Sequence, residues 1–386
     1  RPMLYTLLVL STGFAMFAMF FGSGNLVFPI MLGGMVEGSY VSAAIGLVLT
    51  AICVPFLGFF AIYLFKGNYE AFFHRLGKYA DFFLPLLILA LIGPFGVIPR
   101  CITVAHGSFL LLFPEASFIT FAAIMSIVIF LLVLDPHKIV PLIGAFLTPI
   151  LLISLGLIIV YGVAGGRLLQ ANNFDSLSVF VTGLVQGYNT LDLMAAFFFS
   201  AVVIKYVHYV LHKHRISKIG QKQFIWATML CGMGMLTLVY VAFIYLGAAY
   251  ADVLEPAHPE RGIALIADHT LGRLAGPVVV IAVILTTLTT AAALTSISAE
   301  FLRRRIFFDK VRLSTASLII VALSFLFSNL KFSGIAAFLS PILQVLYPGL
   351  IVLTLFNIAH RLWGVRIVKT PVYATFALTF FMALYY

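Results

Sequence analysis

A 386-residue chain with 63% hydrophobic and 9% charged residues is too apolar for a soluble domain, where about a quarter of residues carry charge. Its net charge of +10 does not point to nucleic acid, because the basic residues sit in short stretches between apolar runs. Cys53, Cys101 and Cys231 all fall inside such runs, which supports neither a disulfide framework nor a metal pattern.

Apolar runs near 20 residues mark helices that cross a bilayer, and the ten-residue alternation of a membrane β-barrel is missing. The runs predict an all-α polytopic membrane protein with eleven spans. In chain order these are about 5–33 (broken), 40–65, 82–112, 117–134, 139–164, 178–207 (broken), 222–250, 276–302, 311–329, 334–358 and 371–386. No cleavable signal is read, since the first run is too long and no small-residue cleavage site follows. The chain starts at Arg1 and stops at Tyr386 inside an apolar run, so both ends are expected to be trimmed.

Placing the N-terminus in the cytoplasm puts 18 of the 23 Lys and Arg on the inner side. Only Arg167, Arg261, Arg273 and Lys331 fall outside, and Arg100 lies within the third span. That asymmetry sets the expected topology, with the N-terminus on the cytoplasmic side. The 205–222 loop, with His208, His212 and His214 among lysines, reads as a solvated cytoplasmic face near acidic lipid, against the alternative of a metal or anion site. Gly67 to Ala80 reads as a short amphipathic connector. In the outer loop Ala251 to Ala275, the stretch Ile263-Ala264-Leu265-Ile266 reads as a short surface helix, either a lid or plain loop packing.

The first span is interrupted by Gly22-Ser23-Gly24-Asn25 and the sixth by Gly187-Tyr188-Asn189-Thr190-Leu191-Asp192. Glycine is a weak helix former, and opened backbone in hydrocarbon is tolerated only where it lines a cavity or is buried in protein. Glycine also serves close helix packing, which is the competing account of each break alone. The two lie five spans apart, so they match in two five-span halves of opposite orientation, 1–164 and 178–358, with 371–386 as an accessory helix. Paired broken spans in an inverted repeat point to the binding site of a secondary transporter.

The half-helix starting at Gly22 to Asn25 would offer N–H groups and a positive dipole end to a carboxylate. Carbonyls around Ala18 to Phe21 would suit a cation or an ammonium group. In the eighth span, Thr286-Thr287-Leu288-Thr289-Thr290 offers hydroxyls to a small cation, against the alternative that each bonds a carbonyl of its own helix. Arg100 and Asp192 are intramembrane charges, expected to lie together as an inner gate or proton-sensitive pair, with a structural ion pair as the alternative. His106 reads as a packing residue.

Several of these motifs resemble the bacterial branched-chain amino acid:cation symporter family. They are Gly13-Phe14-Ala15 with Phe21-Gly22-Ser23-Gly24-Asn25-Leu26-Val27-Phe28-Pro29, Gly93-Pro94 with Pro99-Arg100, Gly187-Tyr188-Asn189-Thr190-Leu191-Asp192, Leu288-Thr289-Thr290-Ala291 with Ala299-Glu300-Phe301, and Leu346-Tyr347-Pro348. The chain departs from that family at Leu191, at Cys101-Ile102 and at His106-Gly107. The resemblance implies a leucine-transporter-like inverted-repeat fold with a twelfth span in the full-length protein. It implies import of leucine, isoleucine and valine, with methionine a further candidate, driven by sodium or protons. By analogy with that fold, carbonyls of Ala18, Phe21 and Thr286 and hydroxyls of Thr289 and Thr290 form a sodium site. Gly22, Ser23, Gly24, Asn25, Gly187, Tyr188, Asn189 and Thr190 surround the substrate, with Asn25 beside its carboxylate or a second cation. No cofactor beyond the coupling ion is expected. The alternatives are a carrier for another small zwitterion or neutral amine, a channel, which would need a continuous polar pore, and a membrane enzyme, which would need a nucleophile–base grouping.

Overall fold

The computed structural model describes residues 2–134, 148–167, 175–213 and 218–385. The start of the expected fifth span, with Lys138, lies outside the described residues, as do His214 and Arg215. Among the described residues the chain is helical throughout, without strands.

The helices follow one another as α1 (Pro2–Phe20), α2 (Ser23–Val36), α3 (Tyr40–Val48), α4 (Val54–Leu64), α5 (Tyr69–His74), α6 (Ala80–Ile92), α7 (Val97–Phe109) and α8 (Phe118–Leu134). Next come α9 (Thr148–Gly165), α10 (Ser176–Tyr188), α11 (Asp192–Lys213), α12 (Lys218–Ala249) and α13 (Gly262–Leu271). The last four are α14 (Ala275–Phe301), α15 (Leu313–Ser328), α16 (Lys331–Trp363) and α17 (Lys369–Tyr385). Among the described residues five helical stretches are long and apolar enough to cross a membrane: Ser23–Leu64, Ala80–Phe109, Gln221–Ala249, Pro259–Ile306 and Lys331–Trp363. A sixth forms if α10 and α11, bent by 44° at a short break, are one crossing. Shorter apolar helices lie at Tyr5–Ala18, Phe118–Leu134, Pro149–Gly165 and Leu313–Ser328, while the expected last span coincides with α17, which is not among these apolar stretches.

The connectors follow their sequences. Asn68 caps α5, its side chain accepting from Ala71 N at 2.9 Å, and Phe72 and Phe73 are turned into the core. The expected short helix of the outer loop is α13, with Ile263, Ala264, Ile266 and Ala267 buried. The third run holds an interruption that its apolar pattern hides: α6 ends at Ile92 and α7 begins at Val97, across Gly93-Pro94-Phe95-Gly96. Pro94 has no N–H to donate, and a Cβ on Gly96 would lie 1.9 Å from the Leu91 carbonyl.

Two helix pairs pack backbone against backbone. In α2 against α12, a Cβ on Gly33 would meet the Ile244 carbonyl at 2.0 Å, and one on Gly247 the Ile30 carbonyl at 2.0 Å. In α3 against α10, a Cβ on Gly46 would meet the Phe180 carbonyl at 2.2 Å, and one on Gly183 the Ala43 carbonyl at 2.2 Å. In lipid such close approach supplies association that apolar side chains alone cannot. Gly33→Ala and Gly183→Ala are therefore each expected to destabilise the fold by about 1–3 kcal/mol, since the facing atoms are backbone and cannot turn aside. A lowered thermal midpoint of the purified variants in detergent checks this, and midpoints equal to the parent's would refute it.

Candidate functional site

Two of the helix breaks face each other. At the first, Gly22 is extended (φ −115°, ψ −165°) between α1 and α2. Other residues adopt that backbone, so what calls for glycine is space: a Cβ there would lie 3.2 Å from Thr290 Cγ2 on α14. A Cβ on Gly24 would lie 3.3 Å from Thr190 Cα, in the second break. Small residues thus let three elements meet at one point.

The second break runs through Asn189, Thr190 and Leu191 between α10 and α11. Leu191 is wholly buried with φ 64°, a left-handed conformation that costs a branched side chain about 1–3 kcal/mol. Thr190 Oγ1 turns back to donate to the Gly187 carbonyl at 2.9 Å. Leu193 N donates to Tyr347 Oη at 3.1 Å, and the Tyr347 ring stacks on Tyr188 at 4.6 Å. The strain is held in place from α16.

Asn25 joins the breaks. Its Oδ1 accepts from Gly22 N at 2.8 Å, and its Nδ2 donates to Asp192 Oδ2 at 2.8 Å. The same carboxylate oxygen accepts from Tyr240 Oη of α12 at 3.0 Å. Asp192 opens α11, where the positive end of the helix dipole favours a carboxylate. Arg100 stands at the other side of the break. Its Nη1 donates to the Asn189 carbonyl at 2.6 Å, at the negative end of α10. Its guanidinium carbon lies 5.0 Å from the centre of the Phe28 ring and 5.6 Å from that of Phe332. Each charge therefore matches the helix end beside it.

The structure brings Ser23, Gly24, Asn25, Asn189, Thr190, Arg100 and Asp192 together. It does not pair Arg100 with Asp192: no ion pair joins them among the described residues, and each has the partners just named. Asn25 has both ends of its amide engaged, and its Oδ1 takes the Gly22 N–H that was expected to face a carboxylate. Gly187 lies against α3's continuation, where a Cβ would sit 1.9 Å from Thr50 Oγ1. That is the packing role of a glycine.

Of the cation ligands expected from the sequence, Thr290 lies at the first break, its Oγ1 3.5 Å from a Cβ placed on Gly22. Thr289 Oγ1 donates to the Thr286 carbonyl at 2.8 Å, and Thr286 Oγ1 donates to the Ala282 carbonyl at 2.8 Å. Their lone pairs remain open to a cation while the protons stay within the helix. Ala18 and Phe21 lie on the α1 side, Phe21 stacked on Phe17 at 5.0 Å.

Tyr240, Tyr347, Phe28 and Phe332 escaped the sequence reading as site residues. For the tyrosines a signal existed: a mid-span hydroxyl needs a buried partner. The phenylalanines carry none among 38 of their kind.

A family model described as branched-chain amino acid transport protein matches residues 6–385. The chain is 30% identical over 375 residues to the branched-chain amino acid transport system 3 carrier protein of Pseudomonas aeruginosa, covering 92% of this chain and 81% of that protein. It is 27% identical over 383 residues to the branched-chain amino acid permease BrnQ of Escherichia coli, covering 95% and 84%. Among solved structures, the inward-facing conformation of Mhp1 superposes with a TM-score of 0.66 at 14% identity, covering 92% of this chain and 77% of that one. MhsT in complex with L-phenylalanine superposes with a TM-score of 0.63 at 16% identity, covering 96% and 98%. These likenesses establish a shared fold.

Proposed function

The chain belongs to the branched-chain amino acid transport protein family, as a multi-pass membrane carrier and not an enzyme, and on that premise we propose how it works. It imports leucine, isoleucine and valine, with methionine a further candidate, across the bacterial inner membrane by sodium- or proton-coupled symport. The N-terminus is cytoplasmic, in keeping with the 18 cationic residues counted on that side.

The observation that carries this reading is the meeting of the two interrupted helices through Asn25 and Asp192 at 2.8 Å. Broken helices that converge in a bundle are where transporters hold a substrate and its coupling ion. Helix packing supports the five-plus-five repeat. A two-fold exchange of the halves turns the first span into the sixth and the second into the seventh. The packing of the first span on the seventh then has its counterpart in the packing of the sixth on the second, and each of these span contacts contains a carbonyl-to-glycine seam, though in different halves of the broken spans.

In this reading the zwitterion lies between the breaks, near Ser23, Gly24, Tyr188, Asn189 and Thr190. The coupling cation lies between the Ala18 and Phe21 carbonyls and Thr286, Thr289 and Thr290. Transport proceeds by alternating access, one bundle rocking against its scaffold. Coupling arises because cation and substrate order the same break, so each binds more tightly when the other is present. An apolar pocket separates side chains that differ by one methylene only weakly, which makes leucine, isoleucine and valine joint substrates.

Uptake of labelled leucine into liposomes carrying the purified protein tests this, under an imposed sodium gradient, a proton gradient or neither. Saturable uptake driven by one of the gradients is expected. No leucine uptake under any gradient would overturn the substrate assignment, and flux that neither saturates nor responds to a cation would indicate a channel.

A further inference from the structure

Arg100 heads the largest fully buried side chains, with 1% of its surface exposed. A guanidinium offers five N–H donors in a rigid fork, and a buried one needs an anion or a full set of acceptors. Here a single donor is used, Nη1 to the Asn189 carbonyl. Nε and Nη2 are buried and have no partner. Those two nitrogens form one edge of the fork, the edge that matches both oxygens of a carboxylate at once. Asp192, across the break, directs its Oδ2 to Asn25 and Tyr240 instead.

A second buried polar group lies close by. Ser23 Oγ, in the first turn of α2, is buried with the Cys101 thiol beside it and with no oxygen or nitrogen in hydrogen-bonding geometry. Cys101, the residue after Arg100, lies beside Ser23, and Phe28, five residues further along α2, lies under the guanidinium. The rings of Phe28 and Phe332 exclude water from the charge while leaving its edge free.

We propose that the Nε–Nη2 edge of Arg100, together with the Ser23 hydroxyl at the start of α2, is the subsite for the substrate's carboxylate. This rests on the amino acid reading above and assigns the recognition of one end of the molecule. The carboxylate completes the Arg100 fork, and Asn25, with its amide fully engaged, acts as the strut between the breaks. Recognition is then of a carboxylate on any apolar side chain, and an analogue that keeps the ammonium and side chain but lacks the carboxylate binds poorly.

The test is calorimetric binding of L-leucine and L-leucinol, whose hydroxymethyl group replaces the carboxylate, to the purified full chain. For the parent protein, leucine is expected to bind about 100-fold more tightly than leucinol, as loss of a charge-assisted pair predicts. Arg100→Lys and Arg100→Gln are expected to weaken leucine about 10- to 100-fold and to leave leucinol within about twofold. Ser23→Ala is expected to weaken leucine about fivefold with leucinol unchanged, and it carries the test with Arg100→Lys if Arg100→Gln does not fold. Equal affinity of the parent for both ligands, unchanged leucine affinity in the Arg100 variants, or equal losses for both ligands would each overturn the subsite. Absence of leucine binding to the parent would instead overturn the substrate assignment.

Discussion

Asp192→Ala is expected to abolish leucine uptake in proteoliposomes, a fall of about 100-fold or more, whereas Asp192→Asn keeps roughly a tenth of the parent rate. Asp192 Oδ2 accepts from Asn25 Nδ2 and from Tyr240 Oη, all three residues being buried. Alanine leaves both donors unpaired, at about 1–3 kcal/mol each. It also releases Asn25, whose Oδ1 holds the Gly22 N–H and so shapes the start of α2. Asparagine can place its own oxygen toward both donors, so the joint survives while the charge at the head of α11 is lost. The two variants therefore separate the strut from the charge. If the charge is the proton-sensitive element, uptake by the parent varies with pH and that of Asp192→Asn does not. Initial rates across pH decide this, and identical pH profiles would remove Asp192 from proton sensing. A near-normal rate in Asp192→Ala would remove the joint from the mechanism.

Thr290→Ala is expected to raise the sodium concentration for half-maximal uptake about 10- to 100-fold, with a smaller rise in Thr289→Ala. Thr290 stands directly against the first break, beside Gly22. Thr289 is one position off that line, and its proton is committed to the Thr286 carbonyl. Hydroxyl oxygens are hard ligands suited to a small cation, and removing one deprives a desolvated ion of a ligand. The measurement is leucine uptake at fixed leucine and varied sodium, with Asp192→Asn as comparison. Stimulation by protons alone, unaffected in Thr290→Ala, would take the threonines out of the coupling site.

Both expectations rest on residues that differ in how openly the sequence displays them. Gly22-Ser23-Gly24-Asn25 and the Gly187 to Asp192 stretch are legible because glycine and polar groups inside an apolar run leave few structural options in lipid. Among the described residues the helices fall in the expected apolar segments for the same reason: membrane helices follow from composition over about 20 residues. The Gly93 to Gly96 interruption carries a Gly-Pro breaker but, unlike the other two, no polar side chain, so it does not stand out as a site inside its apolar run. The pairing of Arg100 was misjudged. Two opposite charges in an apolar chain suggest each other, but each helix end beside the break already carries a complementary partial charge. Arg100 is placed at the carbonyl end of α10 and Asp192 at the amide end of α11, and neither preference is visible without the three-dimensional break.

By itself the sequence determined that the chain is a helical membrane protein, where its helices run, and that two of them are interrupted. These properties are local, set by the transfer of side chains and backbone groups into hydrocarbon. Only the tertiary structure decided which orphaned groups find each other. Asn25 reaches Asp192 across 167 positions and Leu193 reaches Tyr347 across 154, distances over which no periodicity or composition carries information. The packing of α2 against α12 and of α3 against α10 sets the separation of the two breaks. That separation lets the two interrupted positions meet through Asn25 and Asp192.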